Sequence, residues 1–96
     1  MRFEWDEQKN EVNRNKHGLS FEVAARVFED PNVFLFIDRV VGGEERWHPI
    51  GFVEDRLLFL TVVHTYDEGE EGPIVRIISA RRATRQERKL YAEANL

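Results

Sequence analysis

Between Arg76 and Leu90 the chain carries six basic residues, Arg76, Arg81, Arg82, Arg85, Arg88 and Lys89, against one acidic residue, Glu87. The whole chain has a formal net charge of −4, so this stretch is a basic end on an acidic body. Such asymmetry points to an anionic ligand, with a solvated arginine-rich helix face as the alternative. The net charge argues against a freestanding nucleic-acid binder, which neutralises phosphates with a basic surface. The three histidines, His17, His48 and His64, lack the HExxH or paired spacing of a zinc site, and there is no cysteine to supplement them. A catalytic metal is therefore not expected. Nor is a nucleotide cofactor or a serine nucleophile, because the six glycines are scattered among turns and form no P-loop, GxGxxG or GxSxG.

Position limits what these residues can do. Lys16 and His17 end a helical stretch, where their ordinary role is to meet the negative end of the helix macrodipole. In RWHPIGFV, strand alternation places Arg46, His48, Ile50 and Phe52 on one face and Trp47 and Val53 on the other, which makes Arg46 and His48 neighbours in space. In IVRIISAR it groups Arg76, Ile78 and Ala80 against Val75, Ile77, Ser79 and Arg81. An arginine such as Arg76 on an apolar strand either emerges at an open edge or points toward an anion, and both remain open.

The elements that must position these side chains follow from caps and periodicity. Asp6 before EQKNEVNRNK, with Gly18 beyond, reads as a capped polar helix whose thin apolar face is Trp5 and Val12. Ser20 caps SFEVAARVFED, where Phe21, Ala24, Ala25 and Phe28 recur at helical spacing until Pro31. VFLFID and RWHPIGFV are strands joined by a VVGGEE loop; LLFLTVVHTY is a central strand and IVRIISAR the last. Thr84-Arg85-Gln86-Glu87 has the capping-box pattern and opens a final helix that buries Leu90 and Ala94. The expected fold is α+β: two N-terminal helices, a four-stranded antiparallel meander and a C-terminal helix.

With 96 residues, 42% apolar and 33% charged, one domain over 1–96 is expected. An N-terminus without an apolar run, and no run of about 18 apolar residues anywhere, predict neither signal peptide nor membrane span. Together with the absence of cysteine, this suggests the cytoplasm.

In order, spacing and wording, FEWDEQKNEVNRNKHGLSFEVAARVFEDP, GEERWHPIGF and VRIISARRATRQERKLYAE resemble the BrnT toxin family, from Phe3 to Glu93. The resemblance implies a RelE-like toxin, a metal-independent endoribonuclease that blocks translation. It also implies a BrnA-type antitoxin with a ribbon-helix-helix domain, two copies of each chain in the complex, and operator DNA contacted only through the antitoxin. Metal-free RNA cleavage needs a base for the 2′-hydroxyl, cations for the phosphorane and an acid for the leaving 5′-oxygen. Among family-matching residues, Lys16, Arg46, Arg76, Arg81 and Arg82 suit phosphate, with Arg46 and Arg81 nearest the chemistry. His17, Tyr91 and Glu87, in that order, suit proton transfer, and His48 is a secondary candidate through its face shared with Arg46. The rival expectations are a non-catalytic module whose basic end docks an acidic segment, and a co-repressor acting through its partner.

Overall fold

The computed structural model describes the backbone of residues 1–96 and the side chains of all but residues 36–41. Two of the expected helices form where their caps predict. In α1 (Glu7–His17) the Asp6 carboxylate accepts the Gln8 and Lys9 N–H groups, and the helix ends where Gly18 turns left-handed at φ 71°. Helix α2 (Phe21–Ala25) starts at Ser20, whose hydroxyl accepts the Val23 N–H, and continues as a 3-10 segment over Arg26–Glu29.

The sheet has five strands in the order β1-β5-β4-β3-β2, with β2 (Phe34–Val41), β3 (Glu44–Val53), β4 (Leu58–Asp67) and β5 (Ile74–Arg82) forming the antiparallel meander. Strand β4 is central, as its apolar sequence suggests. The VVGGEE loop shrinks to Gly42-Gly43, at φ 57° and 79°, as the two-residue turn between β2 and β3. The fifth strand corrects the expected order of elements: β1 (Arg2–Glu4) precedes every helix and pairs in parallel with Ile74–Arg76 of β5. With one apolar side chain in three residues it carries too short a pattern to register as a strand.

The inward face of α1 is also corrected. Val12 is 62% exposed, and the buried residues are Asn10 and Asn13. Asn10 accepts the Phe21 N–H at 2.8 Å and donates to Glu22 at 2.7 Å, fixing the start of α2. Asn13 accepts the Ala80 N–H at 3.1 Å and donates to the Leu19 carbonyl at 2.9 Å. Beyond Arg76, where β1 ends, the Asn13 side chain thus supplies an acceptor that a neighbouring strand would otherwise give β5. Trp5 does pack inward, edge-on to Phe21 at 6.2 Å.

Strand β5 does not keep simple alternation. Val63 pairs with Ser79 but His64 with Ile77, so Ile78 is an extra residue, a β-bulge. As a result Val75, Ile77 and Ala80 all enter the core, and Arg76 joins Ser79 and Arg81 on the opposite face. The expected grouping of Arg76 with Ala80 and of Ile77 with Arg81 is overturned. The core itself lies between α1, α2 and one face of the sheet, with Phe21, Val27, Leu60 and Val62 fully buried. Helix α3 (Arg85–Ala94) packs over β3 and β2 on the other face. Its inner edge is Glu87 and Tyr91, one helical turn apart, rather than Leu90 and Ala94, which are exposed.

Candidate active site

The sheet face opposite the core carries most of the candidate chemistry. Register aligns Ile50 with Thr61 and Thr61 with Arg81 in one transverse row. Because Trp47 pairs with His64 on the core side, Arg46 falls beside Thr65 on this face, and Thr65 pairs with Arg76. Between the two rows lie His48 and Ser79. The cations lie on β3 and β5 with β4 between, so Arg46 and Arg76 stand two strand spacings apart, roughly 10 Å.

Hydrogen bonds cluster where α3 meets the first row. The capping box forms as the sequence requires: the Glu87 N–H donates to the Thr84 hydroxyl at 3.1 Å and the Thr84 N–H to Glu87 Oε1 at 2.8 Å. The same carboxylate receives a forked pair from Arg81, at 2.7 and 2.9 Å, and the Thr61 hydroxyl at 3.0 Å. Burial pushes the Glu87 carboxyl up, but the bonds from Arg81, Thr84 and Thr61 outweigh it and hold the group at about 2. Arg81 in turn is raised by its hydrogen bonds to Glu87. Glu87 is only 12% exposed, whereas the Arg81 side chain is 38% exposed, so the guanidinium is gripped on one flank and open on the other.

Tyr91 is held as firmly. Its hydroxyl donates to Asp30 Oδ2 at 2.7 Å, and its ring meets Phe59 edge-on at 5.2 Å, with Phe52 stacked beyond. Burial and the Asp30 carboxylate push the phenol up to about 12. Asp30 also accepts the Asn32 and Phe52 N–H groups. The carboxylate before Pro31 thus ties the end of the helical layer to β3 and α3.

The remaining cations of the face have carboxylate neighbours. Arg76 lies 3.4 Å from Glu4 on β1, and Arg46 lies 3.8 Å from Glu44 on its own strand. Both pairs are loose enough, and Glu4 and Glu44 exposed enough, for a phosphate to compete with the carboxylate. The structure therefore brings Arg46, His48, Arg76, Arg81, Glu87 and Tyr91 to one side of the sheet. Lys16 and His17 end α1, which packs against β5 and α2 on the core side, and are not brought to that face. Arg82 alternates away from Arg81 and borders a small depression with Leu57 and Arg88. His64 is a core residue: 3% exposed and packed edge-on to Phe28 at 5.0 Å, it is pushed down to about 4 by burial.

Sequence reasoning missed Thr61 and Asp30. A threonine at the middle of the apolar run LLFLTVVHTY is the one signal that could have marked the first, since a buried hydroxyl in a central strand requires a partner. Asp30 reads as part of a helix stop, and nothing local announces its bonds to Phe52 and Tyr91.

This is an α+β protein whose sheet face carries arginines, one of them locked to a carboxylate on the C-terminal helix, and forked guanidinium donors are of the kind that suit phosphate groups. The family model described as "Ribonuclease toxin, BrnT, of type II toxin-antitoxin system" matches residues 5–87, and the chain belongs to this family. No curated protein matches the chain. The matched span includes Arg46, Arg76, Arg81 and Glu87 and stops before Tyr91. Membership makes the protein a ribonuclease toxin with an antitoxin partner. Among the described residues, no helix is long and apolar enough to cross a membrane.

Proposed function

We propose that this chain cleaves RNA without a metal, on the sheet face beneath α3, and thereby inhibits translation as RelE-like toxins do. The observation that carries this is the Arg81–Glu87 fork: a guanidinium fixed by a fully ionised carboxylate, with its open flank on a face that also carries Arg46, His48 and Arg76. A group fixed before substrate arrives stabilises a developing phosphorane without reorganising. The metal-free part of this reading follows from the family resemblance, which implies a cleavage run by side chains alone.

In the reaction, a base takes the 2′-hydroxyl proton, the 2′-oxygen attacks phosphorus, and the P–O5′ bond breaks as its oxygen receives a proton. Glu87, saturated by four hydrogen bonds, serves this by positioning Arg81 rather than by carrying the proton. Tyr91, with its proton committed to Asp30, positions α3. His48, an imidazole on the reactive face beside Arg46, is the candidate for proton transfer, and His17 is its rival from α1. Neutralisation falls to a BrnA-type ribbon-helix-helix antitoxin, in a complex of two toxins and two antitoxins that meets operator DNA through the antitoxin.

The test is cleavage of a defined RNA by purified protein in excess EDTA, with His48→Gln and His17→Gln in parallel. Cleavage should persist, and His48→Gln should slow it by roughly 10²–10⁴ and flatten its pH dependence between about 5 and 8. Activity abolished by EDTA and restored by Mg²⁺ refutes the metal-free mechanism, and a loss confined to His17→Gln moves the proton transfer to α1.

A further inference from the structure

Leu57 follows the turn between β3 and β4 and adopts a left-handed conformation, φ 53°, with 78% of its surface exposed. A side chain with a Cβ is strained there, and this one gains no burial in return. It borders, with Arg82 and Arg88, a depression of about 130 Å³ at the end of β5. Arg88 also borders a broader, shallower depression along the outer face of α3, with Arg85, Lys89 and the 39%-exposed Leu90. The two depressions share Arg88 and so form one strip.

The charge on this strip differs from that on the sheet face. There, Arg46, Arg76 and Arg81 each have a carboxylate neighbour. On the strip, none of the ion pairs among the described residues involves Arg82, Arg85 or Arg88, and Lys89 has only an exposed 3.9 Å pair with Glu93. Unneutralised positive charge is thus concentrated beside two exposed leucines. RNA phosphates would match the cations but leave the leucines uncovered, whereas an acidic segment with spaced apolar residues matches both.

We propose that this strip docks an acidic, amphipathic segment of the antitoxin partner; the inference rests on the toxin–antitoxin reading above. The location adds a mechanism of neutralisation. The depression at the end of β5 is also lined by Phe59, whose ring packs on Tyr91 beneath α3, so a segment seated on the strip reaches the margin of the cationic face and obstructs RNA.

The experiment titrates the full chain against three labelled probes by fluorescence anisotropy. These are a peptide of about 16 residues, glutamate-rich with leucines at helical spacing; the same peptide with serine for leucine; and a non-cleavable 2′-O-methyl RNA of similar length. The leucine peptide should bind, and serine should weaken it by roughly tenfold or more. Leu57→Asn, which suits the left-handed backbone and should melt no lower than the parent, and Arg88→Glu should each weaken the peptide by roughly tenfold while changing RNA binding less than about threefold. In cells, toxin carrying both changes should arrest growth and escape rescue by the cognate antitoxin at a dose that rescues the parent. Peptide affinity unaffected by both substitutions, or RNA affinity falling as far as peptide affinity, overturns the proposal. If the antitoxin fails to rescue even the parent, the partner reading falls, and the titration still decides what the strip binds.

Discussion

Arg81→Ala should damage both stability and cleavage, and the structure gives the size of each part. Removing the guanidinium leaves Glu87, 12% exposed, with only the Thr84 N–H and the Thr61 hydroxyl as partners. A fully buried broken pair costs about 3–5 kcal/mol and an exposed one about 0–1 kcal/mol. Arg81 is 38% exposed, so the cost lies between, at about 1–3 kcal/mol. For a chain of this size that is a fall in Tm of roughly 4–8 °C per kcal/mol. The pair also has a pH signature. The Glu87 carboxyl is held near 2 in the fold against an ordinary 4.5, so its contribution is fully present above 4.5 and is lost as pH falls toward 2. Arg81→Ala removes the main bonds that hold the group down, so it should shrink this acid limb. Arg81→Lys retains charge without the fork and should recover stability only in part. The assay is urea unfolding of parent, Arg81→Ala, Glu87→Gln and the double variant between pH 7 and 2.5. An Arg81→Ala protein with the parent's stability and acid limb would refute the idea that the fork fixes Glu87. Cleavage should fall by about 10²–10³ through loss of a preorganised cation, and Arg81→Lys, if it melts near the parent but still cleaves poorly, separates the two effects.

Three other outcomes are expected. Among the described residues Arg46 has one ion pair, at 3.8 Å with an exposed glutamate, so Arg46→Ala should change stability by about 1 kcal/mol or less while lowering cleavage by about 10²–10³, a contrast read from paired melts and rates. Asn13→Ala leaves the buried Ala80 N–H unsatisfied and should cost about 1–3 kcal/mol in urea unfolding, while Val12→Ala on the same helix should be nearly silent. His64 is neutral in the core, with its folded value near 4 below the ordinary 6.5, so its contribution is complete above 6.5 and is lost as pH falls to about 4. This loss amounts to about 3 kcal/mol at most, and His64→Leu should remove the corresponding limb from the stability profile.

The parts of this fold legible in sequence are those fixed by neighbours a few residues away. Asp6, Ser20 and Thr84 bond to amides two or three positions on, so their caps were readable, as were Gly18 as a stop and the apolar run of β4. The parts that were not legible depend on partners far along the chain. Asn10 and Asn13 look like solvent-facing residues of a polar helix until Phe21 and Ala80 present their N–H groups. The three residues of β1 acquire meaning only beside Ile74–Arg76.

The same distinction applies within the candidate site. Residue type and family resemblance brought out the arginines, but the bulge at Ile78 decides which side of β5 they occupy. Strict alternation separates Arg76 from Arg81; one extra residue places both on the face that α3 partly covers. The bulge also lets Val75, Ile77 and Ala80 all enter the core, so core packing and the cationic face depend on the same irregularity. Roles shift in turn with contacts that sequence does not show. Glu87 and Tyr91 have the right chemistry for proton transfer, yet each has its hydrogen-bonding capacity committed, one to Arg81, Thr61 and Thr84, the other to Asp30. What α3 brings to the sheet is therefore alignment: Glu87 fixes the arginine, and Tyr91 ties the helix to Asp30.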